Sequence, residues 1–207
     1  MYARTTTVRG DPQSVEAGIG YLRDTVWPAL QGMSGCVGMS TLADRAEGRC
    51  IVTTAWATDE ALRASAEMVR ELRSRSAEEL RAEEVEVAEW EIAAVHRVRA
   101  AGSDACARVI WAEVDPAQMD GMVDAFRMSL LPRMEELPGF CSVSLMIDRG
   151  MGRASMSVTY ADRDALTDSR EMGRDMREEF ASPMGARILE VAEFDLAIAH
   201  LRVPEMA

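Results

Sequence analysis

Residues 85–96 read VEVAEWEIAAVH, and at an offset of 104 residues 189–200 read LEVAEFDLAIAH. The same offset aligns the chain with itself without a gap from Ala3 to His96, and it places Asp11-Pro12 on Asp115-Pro116. A period of this length indicates a duplicated domain, because solenoid repeats span only ~20–50 residues. Two units of about a hundred residues are each large enough to bury a core.

Each copy has the pattern strand, helix, strand, strand, helix, strand. Asp-Pro is typical of a helix start, and the last strand of each copy alternates apolar residues with acidic ones. This order is the ferredoxin-like split βαβ arrangement, so we predict an α+β class with two βαββαβ repeats in an intramolecular pseudo-dimer. The predicted divisions are repeat 1 at 1–97, a short polar linker at 98–105 and repeat 2 at 106–203.

The net charge of −12 is spread over both halves and no basic cluster interrupts it. Nucleic acids and anionic membrane surfaces need clustered cationic side chains, so we expect no nucleic-acid and no membrane partner. No apolar run approaches a membrane span and no signal-like segment begins the sequence, which favours a cytoplasmic protein. All 23 basic residues are arginine, and this excludes chemistry that depends on lysine.

The cysteines form no CxxC motif and do not coincide between the two copies, which favours reduced thiols over disulfides or metal ligands. They are Cys36, Cys50, Cys106 and Cys141. The two histidines, His96 and His200, do coincide. They are either paired bases or ligands, or half-buried residues at strand ends, and without further ligands nearby in sequence we expect no metal site.

An aromatic residue ends the third strand of each copy, in Trp56-Ala-Thr-Asp-Glu-Ala-Leu and in Tyr160-Ala-Asp-Arg-Asp-Ala-Leu. With Val8-Arg9-Gly10-Asp11-Pro12 and the Pro-Gly before the second strand of copy two, this segment resembles the antibiotic biosynthesis monooxygenase superfamily. The resemblance covers each repeat almost end to end and implies an intramolecular dimeric α/β barrel. Members of that superfamily include cofactor-free oxygenases of aromatic substrates and heme-degrading enzymes.

The heme-degrading pattern fits this sequence poorly. It implies an asparagine on the first strand, a tryptophan at the end of the third and a histidine on the following helix. Trp56 matches the tryptophan, but the chain contains no asparagine and neither helix carries the histidine. The resemblance therefore implies no cofactor, and heme degradation is disfavoured.

The cofactor-independent reading predicts a monooxygenase, hence an oxidoreductase, of a small aromatic or quinol-like substrate. It needs an apolar pocket and groups that hold an enolate or phenolate. The candidate catalytic residues are Trp56 and Tyr21, and the candidate substrate-binding residues are Arg4, Thr5 and Thr7. The polar Thr-Thr-Thr strand of copy one contrasts with Val-Ile-Trp in copy two, so we expect one site per chain, in the amino-terminal half.

Other interpretations stay open for the same residues. Trp56 also fits a core aromatic, Tyr21 an exposed helix residue, and Arg4 with Arg108 ion-pair partners of acids on the last strand. The alternative function is a non-catalytic pseudo-dimer that binds a small molecule or assembles further, including as a homodimer.

Overall fold

The computed structural model describes residues 1–201 and 203–206, so Arg202 within the predicted second repeat lies outside the described residues. Hydrogen bonds join the strands in the closed order β1-β3-β2-β8-β5-β7-β6-β4. This order confirms the α+β class and the intramolecular barrel. The strands are β1 (Tyr2–Gly10), β2 (Cys36–Asp44), β3 (Arg49–Trp56), β4 (Ala82–Arg97), β5 (Cys106–Glu113), β6 (Phe140–Asp148), β7 (Arg153–Tyr160) and β8 (Arg187–Ala199).

The helices follow β1, β3, β5 and β7, as the repeated pattern predicts. They are α1 (Val15–Tyr21), α2 (Trp27–Gln31), α3 (Asp59–Ala64), α4 (Ala66–Glu79), α5 (Met119–Ala125), α6 (Leu131–Met134), α7 (Arg163–Asp168) and α8 (Arg170–Ala181). No helix in the described part of the chain is long and apolar enough to cross a membrane.

A π-helical turn interrupts the first helical stretch of each repeat. It spans Leu22–Val26 in the first repeat and Phe126–Leu130 in the second. Pro28 and Pro132 follow at the start of α2 and α6. A proline lacks the N–H that an inner helical turn requires, and a π turn is one way in which a helix absorbs that defect. The helical conformation continues through the π turn and both prolines.

The chain forms two compact units, and their boundaries fall inside strands. Unit 1 comprises Met1–Glu91 and Asp195–Val203, and unit 2 comprises Ile92–Phe194 and Pro204–Ala207. Unit 1 therefore contains the last part of β8, which pairs with β2 from Ser40–Ala199 to Ala43–Asp195. Unit 2 contains the last part of β4. The repeat boundaries read from the sequence describe the duplicated segment and stay a prediction.

Each unit has its own apolar core of sheet and helix residues. In unit 1 the helical stripe Val15, Ile19, Leu22, Val26 and Leu30 packs with residues of β1, β2 and β3. In unit 2 the stripe Met119, Met122, Val123, Phe126 and Leu130 packs in the same way. The members of each stripe recur at i, i+3/i+4 spacing, which is the spacing of one buried face of a helix.

Local hydrogen bonds from side chains to the backbone fix a hairpin turn and a helix start in unit 1. The carboxylate of Asp44 accepts the backbone N–H groups of Ala46 and Glu47 at 3.0 and 3.1 Å, which fixes the hairpin between β2 and β3. Gly48 completes this hairpin with φ of +63°, a conformation that glycine adopts without strain. At the start of α3 the hydroxyl of Thr58 accepts the Ala61 N–H.

The helical segment that follows β3 is divided at Ser65, between α3 and α4. The Ser65 hydroxyl donates to the carbonyl of Leu62 at 2.7 Å. Serine side chains compete in this way with the helical hydrogen-bond pattern and interrupt helices. Ser169 makes the equivalent bond to Leu166 in unit 2. The division places the start of α4 beside β1, where the candidate site lies.

Candidate functional site

The two faces of β1 have different surroundings. Successive side chains of a strand point to opposite faces, so Arg4, Thr6 and Val8 share the face covered by helices. Val8 belongs to the core there. Thr5 and Thr7 lie on the other face, where the Thr5 hydroxyl accepts the indole N–H of Trp90 at 2.8 Å. The structure therefore separates Thr5 and Thr7 from Arg4 and places Thr6 beside it.

Trp56 is fully buried in the core of unit 1. Its indole N–H donates to the Thr54 hydroxyl at 3.2 Å, and that hydroxyl lies 3.3 Å from the carbonyl oxygen of Arg4. Tyr21 is partly buried and packs against the same core. Neither ring lines the cleft or the small pocket described below.

Arg4 is buried and its guanidinium is held by three partners. It donates to the Glu89 carboxylate at 2.7 and 3.0 Å, to the Leu62 carbonyl at 3.0 Å and to the Ser65 hydroxyl at 3.1 Å. The sequence offered an ion pair with an acid on the last strand of the repeat as one interpretation of Arg4, and this ion pair is present. These bonds join β1, β4 and the division between α3 and α4, so Arg4 fixes one wall of the site.

A cleft of about 500 Å³ opens beside this network, between β4 and α4. Ala66, Arg70 and Arg73 line it because they recur at helical spacing on one side of α4. The complete lining is Arg4, Ala66, Glu67, Arg70, Arg73, Val87 and Glu89. Three arginines and two glutamates give this surface a net positive charge in a chain of net charge −12.

A small pocket of about 40 Å³ lies on the other side of Arg73. Its walls are mainly aliphatic side chains from the first helical stretch, β3 and α4, and its polar groups include Thr6, Thr54 and Ser76. Arg73 lines both the pocket and the cleft. Burial, together with the positive charges of Arg4 and Arg70, lowers the pKa of Arg73 below its ordinary value. Its side chain therefore marks the junction of a polar region and an apolar one.

The equivalent pocket in unit 2 is reduced to about 20 Å³. Ile110 and Val158 stand where unit 1 has Thr6 and Thr54, so the polar wall is lost. Larger side chains also replace smaller ones at three positions: Phe126 for Leu22, Met156 for Val52 and Phe180 for Ser76.

The surface of unit 2 that is equivalent to the cleft carries an additional ion pair. Arg170 occupies the position of Ala66 and binds the Glu193 carboxylate at 2.6 and 3.1 Å. Glu193 also forms an ion pair with Arg108, as Glu89 does with Arg4 in unit 1. The long side chain of Arg170 therefore lies across the position that alanine leaves open in the first repeat.

Sequence reasoning missed Ala66, Glu67, Arg70 and Arg73. A signal was present in the aligned copies, because Ala66 aligns with Arg170 at the offset of 104 residues that revealed the duplication. The position does not stand out without the structure, because a surface helix tolerates either residue. The contact between Arg170 and Glu193 shows that an arginine at this position pairs with the glutamate of the last strand, whereas Ala66 leaves the space beside Glu89 open.

The histidines do not provide the ligand of a heme-degrading site. His96 lies on β4, and its Nδ1 and Nε2 lie 2.6 and 2.8 Å from carboxylates of Glu205 and Glu135. His200 follows β8 and stacks on Trp27 with ring centres 5.0 Å apart. Neither lies on the helices after β3 or β7, so these residues do not fit the heme pattern that the fold class includes.

The cysteines are free thiols: Cys36 is half-buried and the other three are buried. Burial raises the pKa of the Cys50 thiol to about 11, which keeps it protonated and unreactive at neutral pH. Among residues 1–201 and 203–206, no group of three or more His, Cys, Asp and Glu side chains could hold a metal ion.

The fold is that of the dimeric α/β barrels of the antibiotic biosynthesis monooxygenase superfamily. A Lactobacillus acidophilus protein named "putative monooxygenase" superposes with a TM-score of 0.67 and 13% identity, over 94% of this chain and 92% of that one. An "anthrone oxidase-like protein" superposes with a TM-score of 0.65 and 13% identity, over 94% and 90%. A heme-degrading enzyme from Listeria monocytogenes reaches 0.51 and 10%, over 94% and 99%. At these identities the likeness concerns the fold alone.

Sequence similarity defines a narrower family. The uncharacterized protein Rv2558 of Mycobacterium tuberculosis H37Rv is 46% identical over 207 residues, which cover all of this chain and 87% of that protein. The uncharacterized protein Rv2557 of the same strain is 44% identical over 206 residues, which cover all of this chain and 92% of that protein. The chain belongs to the family of these two mycobacterial proteins. No family model matches the sequence.

Proposed function

We propose that the chain is a cofactor-independent monooxygenase that acts on a small aromatic or quinol-like substrate in the cleft of unit 1. The observation that carries this proposal is the difference between the repeats. Unit 1 keeps an open cleft next to a pocket that includes the hydroxyls of Thr6 and Thr54, whereas in unit 2 Arg170 stands at the position of Ala66 and apolar residues replace both threonines. The fold shared with monooxygenase-like proteins supports the class of reaction.

The proposed reaction needs a proton acceptor in the cleft. Glu67, an exposed residue of α4, is placed to take a proton from a bound phenol or activated methylene, and the surrounding arginines favour the resulting anion. The anion supplies the electrons that reduce dioxygen. In anthrone the methylene becomes a carbonyl, one oxygen atom enters the product, and the other leaves as water with the two methylene hydrogens. In a quinol a ring C–H becomes C–OH while the ring is oxidised to the quinone, and the second oxygen atom again leaves as water with the two hydroxyl hydrogens of the quinol.

The small pocket is assigned to dioxygen rather than to the aromatic ring. A water-sized probe needs ~10–15 Å³, so a pocket of about 40 Å³ has room for a diatomic molecule and not for a ring system. Its mainly aliphatic lining suits an apolar gas. In this arrangement the ring lies in the cleft and the pocket lies behind it, on the far side of Arg73.

The residues first selected from the sequence receive supporting roles in this proposal. Arg4 holds Glu89 and Ser65 in place at the edge of the cleft. Trp56 fixes the Thr54 hydroxyl in the wall of the small pocket, and Tyr21 packs behind it. Thr6 replaces Thr5 and Thr7 as the residue of β1 that faces the substrate side.

The alternative, a small-molecule-binding protein without catalysis, is favoured by one observation. The cleft is open to solvent, and the small pocket beside it holds far less than the ~300 Å³ typical of a ligand site. Binding alone needs no pocket that excludes water. Oxygen consumption therefore decides between the two functions.

The test is oxygen uptake with anthrone and with 1,4-naphthohydroquinone, measured above the protein-free rate. We expect one dioxygen consumed per product, with one labelled atom from ¹⁸O₂ in the product and one in water. Ala66→Arg should abolish uptake by pairing with Glu89 across the cleft. Arg170→Ala, the converse change in unit 2, is the matched control and should leave the rate of unit 1 unchanged.

The proposal fails if purified protein adds nothing to the protein-free rate, or if hydrogen peroxide is the only reduced oxygen product. It also fails if Ala66→Arg keeps the full rate. Binding of the substrates without oxygen uptake would instead establish the non-catalytic alternative.

A further inference from the structure

Arg73 has no ion pair or hydrogen bond within residues 1–201 and 203–206, although its side chain is half-buried. The other cleft arginine that is buried, Arg4, is fully engaged by Glu89, Ser65 and the Leu62 carbonyl. A guanidinium carries five N–H donors in a fixed fork and stays charged at any physiological pH. Arg73 therefore presents an unused donor set at the inner end of the cleft.

The charges around Arg73 favour an anion there. Burial and the repulsion by Arg4 and Arg70 lower the pKa of Arg73, and the attraction of Glu89 offsets them only in part. A bound negative group would offset both effects. The chain as a whole is strongly acidic, so the attraction is local to this cleft and does not come from the net charge.

The cleft also limits the charge of its ligand. Glu67 and Glu89 lie in the same lining, and three arginines and two glutamates leave a single net positive charge. A monoanion is matched by this balance, whereas a phosphate dianion would be repelled by the two carboxylates. Ala66 and Val87 add apolar surface for the body of a ligand.

We infer that the ligand of unit 1 is an aromatic carboxylic acid whose carboxylate is bound by the guanidinium of Arg73. This inference rests on the proposed function for the location of the site and names the class of its substrate. An arginine fork binds a carboxylate through two parallel hydrogen bonds. That anchor places the ring in the cleft and keeps one edge of the ligand at the mouth of the small pocket.

The test compares 2-naphthoate with 2-naphthamide, a neutral probe of nearly the same shape, by isothermal titration calorimetry on the full chain. We expect the carboxylate to bind and the amide to bind at least about tenfold more weakly. Arg73→Gln should weaken naphthoate binding roughly 10- to 100-fold, the loss expected for charge-assisted hydrogen bonds, and leave amide binding unchanged. Arg73→Lys, which keeps the charge without the fork, should fall between the two.

Arg177→Gln is the matched control, because Arg177 is the equivalent residue of unit 2 and lines only the small pocket there. It should bind naphthoate as the wild type does. Far-ultraviolet circular dichroism and urea unfolding of each variant show whether the fold is intact, and the unchanged amide affinity of Arg73→Gln gives a second check on the site itself.

Equal binding of the acid and the amide overturns the inference, as does naphthoate affinity that survives Arg73→Gln or no binding of either probe. These results are independent of the oxygen-uptake assay, which uses uncharged substrates and the Ala66→Arg variant. An oxygenase that takes only neutral substrates would thus refute the carboxylate anchor and leave the proposed reaction in place.

Discussion

The Nη2 atom of Arg4 lies 2.7 Å from Oε1 of Glu89, with the arginine side chain 4% exposed and the glutamate side chain 53% exposed. The pair is thus buried on one side only. The cation depends on the fold for its partners, whereas the carboxylate can return to water. This asymmetry determines what happens when either member is removed.

Removal of the buried member should destabilise unit 1. Arg4→Met loses charge-assisted bonds to Glu89, Ser65 and Leu62, each worth about 1.5–3 kcal/mol in general, but the released Glu89 is rehydrated. We expect the free energy of unfolding to fall by about 2–4 kcal/mol, measured by urea denaturation. Arg63→Met, which removes an exposed pair with Asp59, is the control and should cost less than about 1 kcal/mol. Equal losses in the two variants would contradict this account.

The loss of stability caused by Thr54→Val should depend on whether residue 56 is tryptophan or tyrosine. Thr54→Val leaves the buried indole N–H without an acceptor and should cost about 1–3 kcal/mol. Unit 2 has Val158 and Tyr160 at these positions, and there the tyrosine hydroxyl accepts from Arg108. The double variant Thr54→Val/Trp56→Tyr should therefore cost less than the sum of the single variants. A double-mutant cycle on urea unfolding measures the coupling, and strict additivity would refute it.

The acid sensitivity of unit 2 should depend on Glu193. Burial disfavours its carboxylate, but hydrogen bonds from Arg170 and Arg108 outweigh burial and lower its pKa below the ordinary value of 4.5. A lowered folded pKa gives stability that is fully present above the unfolded value and is lost as the pH falls through the folded value. Glu193→Gln should therefore be less stable than the wild type near neutrality, and the difference should shrink below pH 4.5.

Urea unfolding at a series of pH values checks this expectation, with Glu171→Gln on the exposed face of α8 as the control. A difference between wild type and Glu193→Gln that stays constant into strong acid would show that the two arginines do not stabilise the ionised form.

The hairpin between β2 and β3 should not tolerate a side chain at Gly48. A Cβ atom there would lie 2.1 Å from the carbonyl oxygen of Gly10, and φ is +63°. We expect Gly48→Ala to cost more than about 2 kcal/mol in unfolding free energy. Gly102→Ala, where no atom lies within 4 Å of the added methyl, should change it by less than about 0.5 kcal/mol. Similar values for both would mean that the turn relaxes around the new side chain.

The sequence predicted the elements well where one local rule decides them. Thr58 and Asp162 cap helices because their side chains reach the N–H three residues later, and that distance is local. The buried stripes followed from periodicity alone. The division at Ser65 was missed, because its cause is a side-chain bond that competes with an otherwise regular helical pattern.

The site was harder to predict because it depends on which way one strand faces. The alternation along β1 shows that Thr5 and Thr7 share a face, but it does not show which face the helices cover. The structure selects Arg4 and Thr6 for that face. Arg73 was missed for a different reason: an arginine on a surface helix is ordinary until the space on both sides of it is known.

The units complete themselves with distant parts of the chain, since the last part of β8 belongs to the unit that contains the amino terminus. A stop codon placed after residue 194 would therefore remove the last part of β8 from unit 1, although the whole of the first repeat had been translated. If the gene were cut in the 98–105 segment, each separately expressed half would lack one strand segment of its unit. We expect the two halves to fold only when they are expressed together. A mutation in the exchanged strand segment of either repeat can therefore change the stability of the unit built mainly from the other repeat.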